Sequence, residues 1–213
     1  MERLTSDDAK RYLQSGALTG EFLDSDFVIE KIEIDYNNKI ATNKNHTKLD
    51  SIFSWIWHNV KMAEDEKFIR ENKFQRTAGQ VWESGQAVGC FDFANVFATV
   101  ARQVGIPTTI LATAEERCFK RVQKEDVSVL TGHYFCECFI DGKWVLVDPT
   151  CKKIENNYSP SKIKLHYRVG ESNKFIPYQR CVDLGEKKTI KQHNEEMIQM
   201  CRQIGGEKQS REI

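Results

Sequence analysis

The chain has 213 residues, and its 31 Lys and Arg balance 31 Asp and Glu, so the formal net charge at pH 7 is zero. That balance removes the electrostatic case for nucleic acid or an anionic membrane as a partner, and no apolar run approaches the length of a membrane span. The length suits one domain with a substantial core, no Pro/Ser/Gly-rich linker divides it, and Met1 to Asp8 lacks the apolar stretch of a signal peptide, so a cytoplasmic location is expected.

Ser6-Asp7-Asp8 is placed to cap a short helix through Leu13, with Gly16 and Gly20 closing this N-terminal helical region. Phe27 to Ile34 reads as a strand, followed by a turn at Asn37-Asn38 and a polar loop to Asn45. Thr47 caps the next helix, whose apolar face is Leu49, Ile52, Phe53, Ile56, Trp57 and Val60. The charged, poorly periodic segment from Glu64 to Arg76 reads as either helix or loop. Thr77 to Ser84 is a short helix, and Gly85 to Gly89 forms the loop that presents Cys90.

After Cys90, the residues Phe93, Ala94, Phe97, Ala98, Val100, Ala101 and Val104 recur at helical spacing, and Gly105-Ile106-Pro107 ends the helix. A thiol at a helix N-terminus meets unpaired amides and the positive end of the helix dipole, both of which favour the thiolate. Most free cysteines are simply small buried apolar residues, so position alone does not mark Cys90 as a nucleophile.

A strand-like run, Thr108 to Ala112, comes next, and then a charged stretch from Glu115 to Thr131 that is either a flap beside a cleft or a solvated excursion with some helix. His133 opens the run Gly132 to Ile140, Asp141-Gly142 follows, and Lys143 to Thr150 completes a hairpin signal. A two-residue turn sets Ile140 opposite Lys143, Phe135 opposite Asp148 and His133 opposite Thr150. Side chains alternate along a strand, so His133 and Asp148 then share a face as diagonal neighbours. A three-residue turn would put them on opposite faces. Thiol, imidazole and carboxylate are the parts of a nucleophilic triad: the carboxylate orients the imidazole, the imidazole takes the thiol proton, and the thiolate attacks an acyl carbon.

Of the seven cysteines, Cys136 and Cys138 fall on the face opposite His133. The odd count and scattered spacing point to reduced thiols. A metal site built on that pair with Cys118 or Cys151 lacks C-x-x-C and histidine spacing, so no metal is expected, and no acidic loop has calcium-ligand spacing. Lys162 to Val169 alternates like a half-buried strand, and Ile190 to Ile204 reads as a terminal helix. Gly205-Gly206 and the tail to Ile213 are expected to be disordered. His46, His58, His166 and His193 have no context comparable to that of His133.

The segment Gly89 to Ala94, with Val100-Ala101-Arg102-Gln103-Val104-Gly105-Ile106-Pro107, resembles the cysteine motif of the transglutaminase-like superfamily. His133 to Phe139 and Trp144-Val145-Leu146-Val147-Asp148-Pro149-Thr150 are similar to its histidine strand and its Trp-x-x-x-Asp-Pro-Thr strand. The chain departs from that pattern at Tyr134-Phe135, Cys136 and Cys138, which line or adjoin the cleft. The resemblance implies a papain-like α+β fold with the cysteine helix packed on an antiparallel sheet, Cys90 as nucleophile, His133 as base and Asp148 as orienting carboxylate. It also implies an oxyanion-stabilising side chain upstream of Cys90. Trp55, Trp57, Asn59, Gln80 and Gln86 are candidates. Trp57 fits the apolar stripe and reads as core, so Trp55 is preferred, with Gln86 next.

Together these features give a single domain over residues 1–204 and thiol-dependent chemistry on an amide or related acyl bond in a protein or peptide, with no cofactor. Hydrolysis is favoured by the small size; protein transamidation and a non-catalytic binding module with the same fold are the alternatives.

Overall fold

The computed structural model describes residues 3–20, 25–44, 47–159, 163–168, 171–183 and 185–209. Helix α1 (Ser25–Ile40) and helix α2 (Lys48–Asn59) come first, after a 3-10 turn at Ala9–Leu13. The Phe27 to Ile34 stretch is therefore helical and not a strand, and the helix runs through the expected turn at Asn37-Asn38. Val28 and Ile32, one turn apart, are buried, while Phe27 and Ile34 are exposed, so the helical period decides which apolar residues enter the core. Thr47 caps α2 in a reciprocal capping box with Asp50.

Strand β1 (Lys61–Met62), α3 (Glu66–Asn72), α4 (Ala78–Ser84) and β2 (Gln86–Ala87) lead to α5 (Cys90–Gln103). Asp65 caps α3, which resolves the Glu64 to Arg76 segment as partly helical. The two short strands pair in parallel and anchor the loop before Cys90. β3 (Thr108–Glu115) and α6 (Glu116–Val122) follow, so the charged stretch opens as helix. Then come β4 (Gly132–Ile140), β5 (Lys143–Asp148), β6 (Lys153–Glu155), β7 (Ile163–Arg168), β8 (Glu171–Cys181) and α7 (Ile190–Gln209). Helix α7 includes Gly205 and Gly206, where the sequence suggested that order ends; residues 210–213 of that tail lie outside the described residues.

The main sheet has six antiparallel strands in the order β6-β5-β4-β3-β8-β7. Helix α5 is its centrepiece: twelve of its fourteen residues are buried. Phe93, Ala94 and Phe97 join Cys136, Cys138, Val145 and Val147 in the larger core, on one face of the sheet. Leu111, Phe135, Leu146, Tyr158, Ile163 and Phe175 form a second core on the other face. There Glu137, fully buried, is satisfied by both Arg180 and the Tyr158 hydroxyl. Arg102, the arginine of the cysteine motif, donates to the Thr108 carbonyl at 2.9 and 2.7 Å and to the Thr19 hydroxyl at 2.8 Å, tying the end of α5 to the start of β3. A Cβ at Gly132 would lie 2.3 Å from the Thr113 carbonyl oxygen, so β3 and β4 approach as closely as they do only because this residue is glycine.

The β4–β5 turn settles the register. Asp141 and Gly142 both adopt positive φ (51° and 76°), the conformation of a two-residue hairpin turn, and Ile140 pairs with Lys143 and Cys136 with Val147. The pairing with β4 stops there, while Asp148 goes on to pair with Lys153 of β6, so the expected oppositions of Phe135 with Asp148 and of His133 with Thr150 are not part of the ladder.

Candidate active site

Cys90 is the first residue of α5, partly buried against the larger core. The early departure of β5 frees one edge of β4 at His133 and Tyr134. In this register the amides of Ile140, Cys138 and Cys136 point toward β5, and that of Tyr134 continues the series beyond the end of the ladder. It donates instead to the Cys90 sulfur. Cys90 thus sits beside a strand edge, on a helix packed against one face, while the side chains of His133 and Asp148 extend from the other.

His133 Nε2 lies 3.0 Å from Asp148 Oδ2. That leaves Nδ1 as the ring nitrogen for the sulfur, with which the imidazole is also hydrogen-bonded. Asp148 is almost fully buried, and its other oxygen accepts from the Thr150 and Cys151 amides at 3.0 and 3.2 Å. The ring of His133 packs edge-on against Phe135, with centroids 4.6 Å apart. Burial works against charge on both the thiol and the imidazole. For the thiol, the His133 hydrogen bond and charge, together with the Tyr134 amide, outweigh burial and hold Cys90 below the ordinary cysteine range. For the imidazole, Asp148 and then Cys90 outweigh burial and lift His133 well above the usual histidine value. Opposite shifts of this kind describe a thiolate–imidazolium pair. Among the other thiols, burial raises Cys136 well above its ordinary value, Cys138, Cys181 and Cys201 to about 12, and Cys151 to about 11. Cys136 and Cys138 turn into the larger core, toward the Ala94 carbonyl and the Thr108 hydroxyl.

Sequence reasoning missed the pair that shapes the loop before Cys90. The buried Arg76 guanidinium meets the buried Asp92 carboxylate and also donates to the Gln86 carbonyl at 2.7 Å and to the Ser84 hydroxyl at 3.0 Å. The same Asp92 oxygen accepts from the Val88 amide at 2.8 Å. One ion pair therefore fastens three further points, Ser84, Gln86 and Val88, in the chain leading to Cys90. Burial raises the Asp92 carboxyl, although Arg76 and the Val88 amide oppose it. Asp92 was visible as a lone acidic residue in an apolar helix, a hint that it has a buried partner.

The aromatic candidates divide differently from expectation. Trp55 stacks on Trp82, with centroids 3.9 Å apart, and the Gln86 side chain is exposed. Asn59 turns back to the Trp55 carbonyl, and Gln80 completes the α4 capping box. Trp57, read as core, is the indole that borders the site. It stacks on Phe93 at 5.4 Å, one turn beyond Cys90, and its Nε1 donates to the Pro149 carbonyl at 2.9 Å, next to Asp148. Trp55 is thus occupied by Trp82, and the Gln86 side chain turns to solvent. The helix-start amides, which have no intrahelical acceptor, remain as donors for an oxyanion. Among the described residues no group of three or more His, Cys, Asp or Glu side chains is arranged to hold a metal ion.

A family model described as the transglutaminase-like superfamily matches residues 34–149, more than half of the chain and spanning Cys90, His133 and Asp148. The chain belongs to the transglutaminase-like superfamily. No curated protein matches it. Among solved structures, this transglutaminase-like chain is similar to a candidate cysteine protease from Cytophaga hutchinsonii, with a TM-score of 0.52 and 16% identity. The match covers 87% of this chain and 50% of that one, so the chain spans about half the length of the structure it resembles. The shared feature is the papain-like α+β fold. Among the described residues no helix is long and apolar enough to cross a membrane.

Proposed function

We propose that this transglutaminase-like protein hydrolyses an amide or related acyl bond in a protein or peptide through a Cys90 acyl-enzyme. The observation that carries the reading is the continuous hydrogen-bonded series Cys90, His133, Asp148, with the thiol shifted down and the imidazole up. The Cys90 thiolate attacks the acyl carbon, and negative charge develops on the carbonyl oxygen near the helix-start amides. His133 gives its proton to the leaving amine as the tetrahedral intermediate collapses to a thioester. It then takes a proton from water, whose oxygen attacks the thioester and releases the acid and the thiolate. Asp148 holds the imidazole ring and stabilises its cationic form. The fold shared with a candidate cysteine protease favours water as the acyl acceptor. An amine in place of water gives transamidation by the same first half-reaction. The seven free thiols favour a reducing compartment such as the cytoplasm.

The test is acyl capture. The protein is exposed to peptide, glutamine-containing and ester libraries, quenched in acid and analysed by intact and peptide mass spectrometry. An acyl adduct on Cys90, lost in Cys90→Ala and released as free acid, supports hydrolysis; release as an amide when primary amines are added supports transfer. No adduct on Cys90 from any class, with alkylation following an ordinary thiol pH profile, would favour the non-catalytic binding module.

A further inference from the structure

We propose that the turn after Asp148 forms an anion-recognition rim, in which Lys152 binds a carboxylate on the part of the substrate that crosses Trp57. The proposal rests on the reading of Cys90 as the reacting centre and adds the chemical class of the neighbouring substrate group. Three observations meet here.

The first is conformational. Lys152 has φ of 54°, in the left-handed region that few non-glycine residues adopt. This backbone turn carries its ammonium back over the Trp57 ring, 4.5 Å from the centroid. Trp57 is itself fixed by the Pro149 carbonyl and the Phe93 ring, so the cation is held at a defined place beside the triad.

The second observation is charge. A second ammonium, that of Lys61, donates to the Trp57 main-chain carbonyl at the end of helix α2. Among the described residues neither lysine makes an ion pair with a carboxylate. Of the acids flanking Lys152 in sequence, Asp148 is already engaged by His133 and two amides, and Glu155 accepts from the Asn157 amide at 3.0 Å. On the other side of His133, toward Phe175, the charges are balanced: Glu115 pairs with Arg117 and Glu116 with Lys174. The positive rim is thus confined to the Trp57 side.

The third is exchangeability. A lysine over a partly buried indole such as that of Trp57 is held weakly compared with a charge-assisted hydrogen bond to a carboxylate. An incoming carboxylate can draw the ammonium off the ring and leave the indole face to the substrate chain. The geometry does not distinguish an Asp or Glu side chain from a terminal carboxylate, since the recognising chemistry is the same.

The experiment uses the full chain, Lys152→Met and Lys152→Glu. Alkylation of Cys90 by iodoacetate and by iodoacetamide is followed by mass spectrometry at low salt. The iodoacetate-to-iodoacetamide rate ratio is expected to fall about three- to fivefold in Lys152→Met and further in Lys152→Glu, with both differences shrinking at high salt. Peptidyl electrophiles carrying Glu or Gln beside the reactive group, each with a free or an amidated terminus, form the second arm. Faster inactivation by the Glu peptides in the native protein, lost in Lys152→Met, assigns a side-chain carboxylate; a preference that follows the free terminus assigns a terminal one. A ratio unchanged in Lys152→Glu, or equal inactivation by all four peptides, overturns the rim. The pH profile of iodoacetamide labelling is read separately: an ordinary thiol profile in the native protein overturns the triad itself.

Discussion

Asp148 divides its two oxygens between tasks, one for His133 and one for the amides of Thr150 and Cys151. Asp148→Asn keeps an oxygen for the amides, so the fold is expected to survive, with an unchanged circular dichroism spectrum. It removes the charge that holds His133 cationic, so turnover on a captured substrate should fall by about 10³- to 10⁴-fold. The pH profile of Cys90 alkylation should move upward at the same time. Activity within tenfold of the native protein would show that another group orients His133. At this scale the pairing of His133 with Asp148 was legible, because Asp141-Gly142 fixes register within a few residues of both. The choice between Trp55 and Trp57 was not. An apolar stripe records which way a side chain points, and the Trp57 indole is partly buried against the core while its N–H reaches a loop carbonyl distant in sequence.

At the scale of elements, the loop from α4 to α5 has little apolar content of its own and is shaped by Arg76 and Asp92. Removing one partner of a buried pair leaves the other charge uncompensated, which typically costs about 3–5 kcal/mol. Arg76→Met should therefore lower the unfolding free energy measured by urea titration by that order and raise the pH at which Cys90 alkylates, through a displaced α5 start. A stability loss below about 1 kcal/mol would mean that Asp92 is accommodated without Arg76. Arg76 lies too far back in sequence to be linked to Cys90 by spacing, and only the folded loop brings their neighbourhoods together. The misassigned α1 has a different cause. Phe-Val-Ile-Glu-Lys-Ile-Glu-Ile alternates closely enough to pass as a strand, and its fit to the helical period shows only once α2 and α5 supply the surface against which Val28 and Ile32 pack. The α5 helix and the β4–β5 hairpin were readable because their patterns are strong and their ends are marked by glycine.

Over the whole molecule, α7 returns to pack beside the triad strand. His193 from this helix lies 3.2 Å from the Tyr134 hydroxyl and 4.0 Å, centroid to centroid, from Phe74. It is 7% exposed, and burial holds its pKa down to about 4, against an ordinary 6.5. Between these values the unfolded chain takes up a proton that the folded chain refuses, so stability falls as pH drops through that window and levels off below it. The contribution is on the order of 3 kcal/mol. Urea unfolding at pH 7 and at pH 4.5 should show this loss in the native protein and a smaller loss in His193→Gln. An equal loss in both would place the acid sensitivity elsewhere. His193 carried no motif, and its burial depends on a helix that reaches it from the far end of the chain.

The burial of α5 on nearly every side has a consequence for how descendants of such a protein diverge. A helix that serves at once as the carrier of the sulfur and as the central packing element is held by selection on folding even when selection on chemistry has lapsed. A lineage that lost His133 or Asp148 would still retain Phe93, Ala94, Phe97 and Arg102, because replacing any of them opens a cavity or strands a buried polar group. Likeness in that helix therefore attests to ancestry and architecture. The chemistry proposed for Cys90 is instead to be read at His133 and Asp148, where β4 and β5 part.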